Sequence, residues 1–452
     1  MSLVHDTSSI HPPVARRSAL GADPPRARLV ASAALVAASL ASGLAQAAEV
    51  TVDRTQHFQT IEGFGFFGGA DVWWSSADAV LDVDWTHLVI DDLGATMWRN
   101  EYYPSSGPQD ADWDKQRPVV QALTSYAAER HVPLKVILTV WSPPAEDKCI
   151  VVDNGDPNWW TCANPLQRPA DTKGGNILDP GQRPQLAQWL IDGLGLYKDI
   201  GVDVYALSFQ NEPLFWESYN SCFYAQQAYS DTLAAIGPTL KAAYPNVKLF
   251  GSENMLGIEC GAGANGDQFD NWWYTASILD NPTALGAIDA FAVHGYVDGV
   301  SATATSKLAN LWSSFRSGTA SSGKSIWMTE TSGYFHEWPG STGAPGGLDL
   351  AQAIYAALYY GHLSAWTYWQ GSDKGGASEY SLMAGTQPAK NYYVAKQFYR
   401  YIRPGAQMVQ LQSDDPGVMV VAFDHPTMGA FSVVAINTTD TEQPLTLTGA
   451  AL

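Results

Sequence analysis

Short apolar runs alternate with longer amphipathic stretches through most of this chain. The runs are apolar on both faces, which is typical of strands in a parallel sheet that is covered on both sides. Eight such strands are predicted, at Ile61–Phe67, Ala95–Asn100, Leu134–Val140, Val204–Gln210, Lys248–Ser252, Ile288–Val293, Ser325–Thr329 and Ala365–Trp369. Helices are predicted before the second to eighth strands and after the last, near 84–93, 113–130, 184–200, 225–243, 269–279, 307–316, 348–361 and 392–401.

Eight repeated strand–helix units predict an α/β fold, a closed (β/α)8 or TIM barrel over residues 48–403. The pattern changes after Pro404, where helices cease and short strands separated by turns begin. These strands are predicted at Met408–Leu411, Val418–Phe423, Phe431–Asn437 and Leu445–Leu447. Residues 404–452 therefore form a small side β-domain, and an incomplete domain is one interpretation of its length. The strand-like segment Val50–Phe58 is a candidate to join it.

The N-terminus has the pattern of a secretory signal. Four arginines precede an apolar, Ala-rich run at 29–44, and Ala45-Gln46-Ala47 fits a small-x-small cleavage site. The run is too short and too rich in Ala and Ser for a membrane anchor. We therefore expect residues 1–47 to be a signal peptide, and the mature protein to be a secreted monomer, extracellular or periplasmic, that is not bound to a membrane.

Composition narrows the class of partner. The chain is 46% hydrophobic and carries a formal net charge of −20, with few basic residues to follow a phosphate backbone. We expect no nucleic acid partner. Pairs of tryptophans at 73–74, 159–160 and 272–273 stand in polar, Gly/Pro-rich stretches. Such aromatic side chains either fill the core or offer flat faces to sugar rings, and the sequence leaves both open.

Four cysteines, Cys149, Cys162, Cys222 and Cys260, follow the signal, and an even number in an exported chain predicts disulfides. Three pairings are possible, of which one joins Cys149 to Cys162 and Cys222 to Cys260. The chain has no C-x-x-C motif. We expect neither a metal site nor a cofactor.

Two glutamates carry the candidate chemistry. Glu212 follows the fourth predicted strand in Gln210-Asn211-Glu212-Pro213, and Glu330 follows the seventh in Trp327-Met328-Thr329-Glu330. The carboxyl ends of barrel strands share one face, and strands four and seven lie three steps apart around eight. The two carboxyls can therefore face each other. A pair about 5–5.5 Å apart is the arrangement of a retaining glycosidase.

Further polar and aromatic residues converge on the same strand ends. Arg99 is expected to end strand two and to keep Glu330 ionised by charge pairing. Asn211 can hydrogen-bond a sugar 2-hydroxyl. The other candidates for substrate binding are Trp141, His294, Tyr296 and Trp369.

Two other carboxylates, Glu101 and Glu253, also fall at strand ends, and we rank them as supporting or substrate-binding groups. The segment 318–325 has P-loop spacing, but it lies after a helix and before a strand, the reverse of a P-loop. Gly63 to Gly68 fits G-x-G-x-x-G without a helix directly after it, so its glycines favour a loop that passes close to a substrate.

In this order and at these positions, the motifs resemble those of glycoside hydrolase family 30. The resemblance covers roughly residues 50–452. It rests on segments 61–65, 141–144, 210–213, 294–296, 327–330 and 398–405. It implies a (β/α)8 barrel with a fused side β-domain built from both chain ends, Glu212 as acid/base, and Glu330 as nucleophile. It also implies a polysaccharide or oligosaccharide substrate with β-linkages.

Members of this family cleave xylan, β-1,6-glucan or galactan, glucosylceramide and other β-glycosides. Glucuronoxylan-specific members use an arginine in the loop after strand eight. Here that loop, 370–383, contains Lys374 and no arginine, which argues against strict glucuronoxylan specificity. The leading hypothesis is an endo-β-xylanase-type activity. The alternatives are an endo-β-1,6-glucanase or galactanase, an exo-β-glycosidase, and a non-catalytic carbohydrate-binding protein.

Overall fold

A computed structural model describes residues 47–68, 83–102, 110–151, 161–164, 166–259, 273–296, 307–338, 344–450 and 452. Residues 45–452 form one compact unit. Several predicted features fall outside the described residues: positions 1–46 of the signal peptide, the Trp73-Trp74 and Trp159-Trp160 pairs, Trp272 and Cys260.

Eight parallel strands close into a barrel, which confirms the predicted fold class. In chain order they are β2 (Gly63–Phe67), β3 (Met97–Glu101), β4 (Lys135–Thr139), β7 (Val204–Ser208), β8 (Lys248–Met255), β9 (Ala290–His294), β10 (Ser325–Glu330) and β11 (Ala365–Tyr368). The chain also forms two small antiparallel sheets of two strands each. They pair β5 (Lys148–Cys149) with β6 (Ile177–Leu178), and β12 (Met383–Ala384) with β13 (Gln387–Pro388). Each predicted barrel strand is present, with ends that shift by up to three residues.

Helices surround the barrel. They are α1 (Val83–His87), α2 (Asp110–Glu129), α3 (Arg183–Asp199), α4 (Gln226–Ala243), α5 (Leu256–Glu259), α6 (Trp273–Leu279), α7 (Pro282–Ala287), α8 (Lys307–Thr319), α9 (Gly347–Tyr359) and α10 (Lys390–Tyr399). A π-helical turn, Leu88–Asp92, extends α1. The sequence pattern missed α7. Asn281 caps this helix by accepting a hydrogen bond from the Ala284 amide at 3.2 Å, and Pro282 occupies its first turn.

The barrel interior combines large and small side chains. Trp327 and Phe250 lie in one buried cluster with Ala206, Ala290 and Ala292, so the alanines leave the space that the indole fills. At the N-terminal ends of the strands, Glu62 accepts hydrogen bonds from Tyr205 at 2.5 Å and from the Lys248 ammonium at 2.5 Å. The barrel is therefore a packed core that is closed by an ion pair at this end.

Strands β2 and β3 approach closely at Gly65. A Cβ atom on Gly65 would lie 1.7 Å from the carbonyl oxygen of Met97. The hydroxyl of Tyr399 on α10 also donates a hydrogen bond to the Gly65 carbonyl at 2.9 Å. Glycine is required here because any side chain would overlap the neighbouring backbone.

The second sheet has five strands and uses both ends of the described chain. Its order is β16–β15–β14–β1–β17, with β1 at Ala48–Thr60, β14 at Gln407–Ser413, β15 at Val418–His425, β16 at Ala430–Asn437 and β17 at Leu445–Ala450. Strand β1 pairs antiparallel with β14 and parallel with β17. Apolar residues of this sheet pack against Tyr359 of α9, whose hydroxyl donates to the Leu411 carbonyl at 3.4 Å. The barrel therefore carries the side β-domain that was predicted.

Cys149 and Cys162 form a disulfide. Cys222 is a buried free thiol, and the residue considered as its partner, Cys260, lies outside the described residues. Across the described ranges, every helix is too short or too polar to cross a bilayer.

Candidate active site

Glu330 is the last residue of β10 and is 5% exposed. Both of its carboxylate oxygens accept hydrogen bonds. The guanidinium of Arg99 donates to Oε2, and the hydroxyl of Tyr296 donates to Oε1 at 2.6 Å. A carboxylate with a cation on one oxygen and a donor on the other is partnered in its ionised form. Burial and the Glu330 charge raise the pKa of Tyr296 well above its usual value, so the phenol stays a donor.

Glu212 lies opposite on the loop after β7. It lies farther from the strand than predicted, because β7 stops at Ser208 and Glu212 adopts a φ of 43° four residues later. The Asn211 amide donates to the Val140 carbonyl at 2.6 Å, which fixes this turn to the end of the neighbouring strand. Burial raises the pKa of Glu212 above its usual value, and the nearby Glu330 charge adds to the rise. Such a pKa favours the protonated carboxyl of a general acid.

The His294 imidazole partly opposes that rise. It ends β9, and its Nδ1 donates to Glu212 Oε1 at 2.8 Å. Burial alone would lower the pKa of His294, but the charges and hydrogen bonds of Glu330, Glu212 and Glu253 raise it to about 9. The imidazole is therefore a cation at neutral pH. It orients Glu212 by a charge-assisted hydrogen bond.

The two candidate carboxylates are close. Oxygens of Glu212 and Glu330 and a ring nitrogen of His294 all lie within 4.8 Å of one another. A separation of this order is typical of retaining glycosidases, whereas inverting enzymes keep their carboxyls about 6.5–9.5 Å apart to admit a water.

Arg99 is fully buried, and its guanidinium contacts three other side chains of the site. It occupies the middle of β3 rather than its end. Its guanidinium donates to Glu330, to Asn211 Oδ1 at 2.9 Å and to Glu253 Oε1 at 3.1 Å. Burial alone would lower the pKa of Arg99, but the charges of Glu253 and Glu330 outweigh it and raise that pKa. The arrangement fixes Glu330 and Asn211 relative to each other.

Glu253, expected from the sequence to be a supporting or substrate-binding group, lies against the two buried cations of the site. It lies within β8, has a φ of 65°, and is fully buried. Its Oε1 contacts the Arg99 guanidinium and lies 3.5 Å from His294 Nε2. Burial would raise the pKa of Glu253, yet Arg99 and His294 hold it below its usual value. Glu253 is therefore the counter-charge that compensates the two buried cations.

Aromatic rings form one wall of the site. Trp369, which follows β11, stacks on Phe67 with ring centroids 4.3 Å apart and planes inclined by 18°. Trp141 is only 6% exposed, and its ring lies 4.9 Å from the Arg99 guanidinium carbon. Trp141 thus supports Arg99 from within, whereas the partly exposed Trp369 is the better placed of the two to meet a substrate.

Glu212, His294 and Glu330 also have the composition of a metal-ligand cluster. Their protonation argues against that use. With a pKa raised to about 9, His294 keeps both ring nitrogens protonated at neutral pH, and a metal needs the lone pair of the neutral ring. The same charge distribution suits a pair in which one carboxyl gives and takes a proton and the other is paired with a cation.

No family model matches the chain. Solved structures share its architecture. A glycoside hydrolase family 30 subfamily 8 xylanase from Clostridium acetobutylicum aligns with a TM-score of 0.63 and 22% identity, over 88% of this chain and 87% of that one. A family 30 endoxylanase from Clostridium papyrosolvens gives a TM-score of 0.62 and 21% identity, over 86% and 84%. An endo-β-1,6-glucanase gives a TM-score of 0.67 and 17% identity, over 91% and 90%.

These likenesses establish the fold of this chain as that of the family 30 glycoside hydrolases, a (β/α)8 barrel with a side β-domain. The strand ends of this barrel bring together every site residue expected from the sequence. Arg99, Asn211, His294 and Tyr296 contact one of the two glutamates or each other.

Proposed function

We propose that the protein is a retaining glycoside hydrolase that cleaves β-linkages in a polysaccharide. The observation that carries the proposal is the pair Glu212 and Glu330, whose oxygens lie within 4.8 Å of each other while each glutamate has a different cationic partner. Glu330, between Arg99 and Tyr296, is the nucleophile. Glu212, whose pKa burial raises, is the acid/base.

The reaction follows from these roles in two steps. Glu330 attacks the anomeric carbon while Glu212 gives its proton to the leaving oxygen, so that a glycosyl–enzyme ester forms and the glycosidic bond breaks. Glu212, now ionised, takes a proton from water as the water attacks the anomeric carbon and displaces Glu330. Asn211, held by Arg99, is the group for the sugar 2-hydroxyl. Two inversions give net retention.

Azide rescue tests the two roles separately. On an aryl β-glycoside with a good leaving group, Glu330→Ala should lose most turnover and regain it with azide, giving the α-glycosyl azide by direct displacement. Glu212→Ala should also regain turnover, but through the glycosyl–enzyme, giving the β-azide. Asp424→Asn is the control and should keep normal turnover, because Asp424 lies on β15 of the five-stranded sheet and pairs with Arg54. Near-normal turnover of either glutamate variant without azide would overturn the assignment.

For the substrate, we propose an endo-β-xylanase-type activity of a secreted enzyme. The disulfide Cys149–Cys162 is consistent with export, and two of the structural relatives named above are xylanases. Because an endo-β-1,6-glucanase has the same fold, β-1,6-glucan is the second candidate substrate.

A panel of linear xylan, glucuronoxylan, β-1,6-glucan and β-galactan distinguishes these substrates. Mixed oligomers as products indicate endo action, and single sugars indicate exo action. Binding without any hydrolysis would favour a carbohydrate-binding protein.

A further inference from the structure

Two large aromatic side chains stand half-exposed on the loop that carries Glu212. Trp216 and Tyr219 are each 47% exposed, and both lie between β7 and α4. The Phe215 amide donates to the Glu212 carbonyl at 2.9 Å, and the Tyr224 amide donates to the Pro213 carbonyl at 2.9 Å. The base of the loop is therefore closed directly beside the proposed acid/base.

Tyr219 follows Glu212 on the same loop, and its carbonyl accepts a hydrogen bond from Ser221 Oγ at 3.3 Å. Burial raises the pKa of the Tyr219 hydroxyl, and the charges of Glu212, Glu217 and Glu330 raise it further. The direction of this shift agrees with a Tyr219 hydroxyl near both proposed catalytic groups. The charge of Glu212 raises the pKa more than that of Glu330 does. About half of the Tyr219 surface remains exposed, so a ligand can contact the side chain.

Trp216 is held in place by a glycine-rich segment of the loop before β6. A Cβ atom on Gly175 would lie 2.5 Å from the Trp216 ring, so the indole packs flat against bare backbone. The Gly174 amide donates to the Glu217 carbonyl at 3.1 Å, and the Gly175 amide donates to Ser221 Oγ at 2.9 Å. One face of the indole is therefore covered, and its orientation is fixed.

A buried lysine joins the two loops below these aromatic residues. Lys148 is fully buried, and its ammonium donates to the carbonyls of Thr172 at 2.9 Å and Ser221 at 2.7 Å. It also donates to Ser142 Oγ at 3.2 Å. The adjacent Cys149 is tied to Cys162 by the disulfide. A buried charge satisfied by oxygens from both loops holds them as one unit.

Rigid, half-exposed aromatic rings beside a carboxyl acid are suited to stack on the apolar face of a sugar. The acid protonates the leaving oxygen, so a surface on the Glu212 loop lies on the leaving-group side of the cleaved bond. Resting on the proposed function, we propose that Trp216 and Tyr219 form the subsite for the leaving-group sugar, so that they speed the cleavage of substrates whose leaving group is a saccharide.

The test compares substrates with and without a leaving-group sugar. Trp216→Ala and Tyr219→Ala are assayed on oligosaccharides of the best polysaccharide in the panel and on the β-glycosyl fluoride of the same sugar. Each variant should lose about tenfold or more in kcat/KM on the oligosaccharides and little on the fluoride. Tyr219→Phe keeps the ring and should retain most activity on both. The bond-cleavage pattern of end-labelled oligosaccharides should shift in the alanine variants.

Tyr401→Ala is the matched control, because Tyr401 is 51% exposed and follows the C-terminal end of α10, away from the strand ends. It should behave as the unmodified protein on both substrates. Equal losses on the fluoride and the oligosaccharides would overturn the subsite, as would unchanged oligosaccharide cleavage. Failure of the unmodified protein to hydrolyse either substrate would instead overturn the proposed function.

Discussion

At the scale of single residues, the site is a network of alternating charges. Arg99 contacts Glu330 and Glu253, and His294 contacts Glu212 and lies near Glu253. Each buried cation therefore lies between two carboxylates. The two proposed catalytic groups therefore differ in their cationic partners. Glu330 is paired with a permanent cation, whereas Glu212 is paired with one that can lose its proton.

The upper pH limit of activity is expected to depend on His294, because His294 lowers the pKa of the proposed acid, Glu212. Its positive charge opposes the burial that raises the pKa of Glu212, so its removal should raise that pKa further. In His294→Gln, Glu212 should stay protonated to higher pH, and the alkaline limb of the kcat/KM profile should move upward. His362→Gln is the control, since His362 lies beside Arg316 on α8 and should leave the limb unchanged. A downward shift in His294→Gln would contradict the assignment of Glu212 as the acid.

Arg99 is expected to matter for folding as well as for the proposed chemistry. Arg99→Met leaves Glu330 and Glu253 buried without their cation, and it should lower the free energy of unfolding by about 3–5 kcal/mol. Arg99→Lys should recover part of the loss. Denaturant unfolding measures the change. Adding Glu253→Gln to Arg99→Met should cost less than the sum of the two single changes, and strict additivity would show that the pair is not coupled.

At the scale of elements, the contact between β2 and β3 leaves no room for a side chain. Gly65→Ala would place a methyl group against the Met97 carbonyl, so the backbone of one strand has to move. We expect a loss of about 3 kcal/mol or more, which is the upper end for overpacked sites. Gly286→Ala is the matched control, because a Cβ at Gly286 in α7 meets no atom within 4 Å. This control should be neutral or slightly stabilising in the same denaturant measurement. Equal stability of the two variants would contradict the close approach.

The element scale also shows what the sequence could and could not predict. Continuous apolar runs located every barrel strand, because strands buried on both faces need them. The position of Glu212 was placed too close to the strand, because its positive φ is imposed by tertiary contacts that no local pattern encodes. The partner of Glu253 was not predicted, because Arg99 lies 154 positions away in the sequence. Sequence patterns predicted the scaffold, the proposed catalytic pair and the charge pairing of Arg99 with Glu330. The pairing of Glu253 with Arg99 had to come from the structure.

At the scale of the whole molecule, the barrel and the five-stranded sheet share buried surface. Tyr359 of α9 packs against apolar residues of the sheet, and Ile61 exchanges backbone hydrogen bonds with Gly405 and Ala406 at 2.8 Å. We expect thermal unfolding to occur in one transition when followed by near-ultraviolet circular dichroism and by activity. A chain that ends at Pro404 should aggregate, because α9 would expose its apolar face. Two separate transitions, or a soluble active truncated chain, would contradict this coupling.

The pairing of β1 has a consequence for how the protein is made. The ribosome synthesises β1 before the barrel, but its two hydrogen-bonding neighbours, β14 and β17, come after the barrel. Both edges of β1 therefore remain open while the barrel is being translated. An open strand edge is a template for wrong pairing and a target for chaperones and proteases. The native sheet forms only on a finished chain, so a prematurely terminated product carries an exposed strand by which a quality-control system can recognise it.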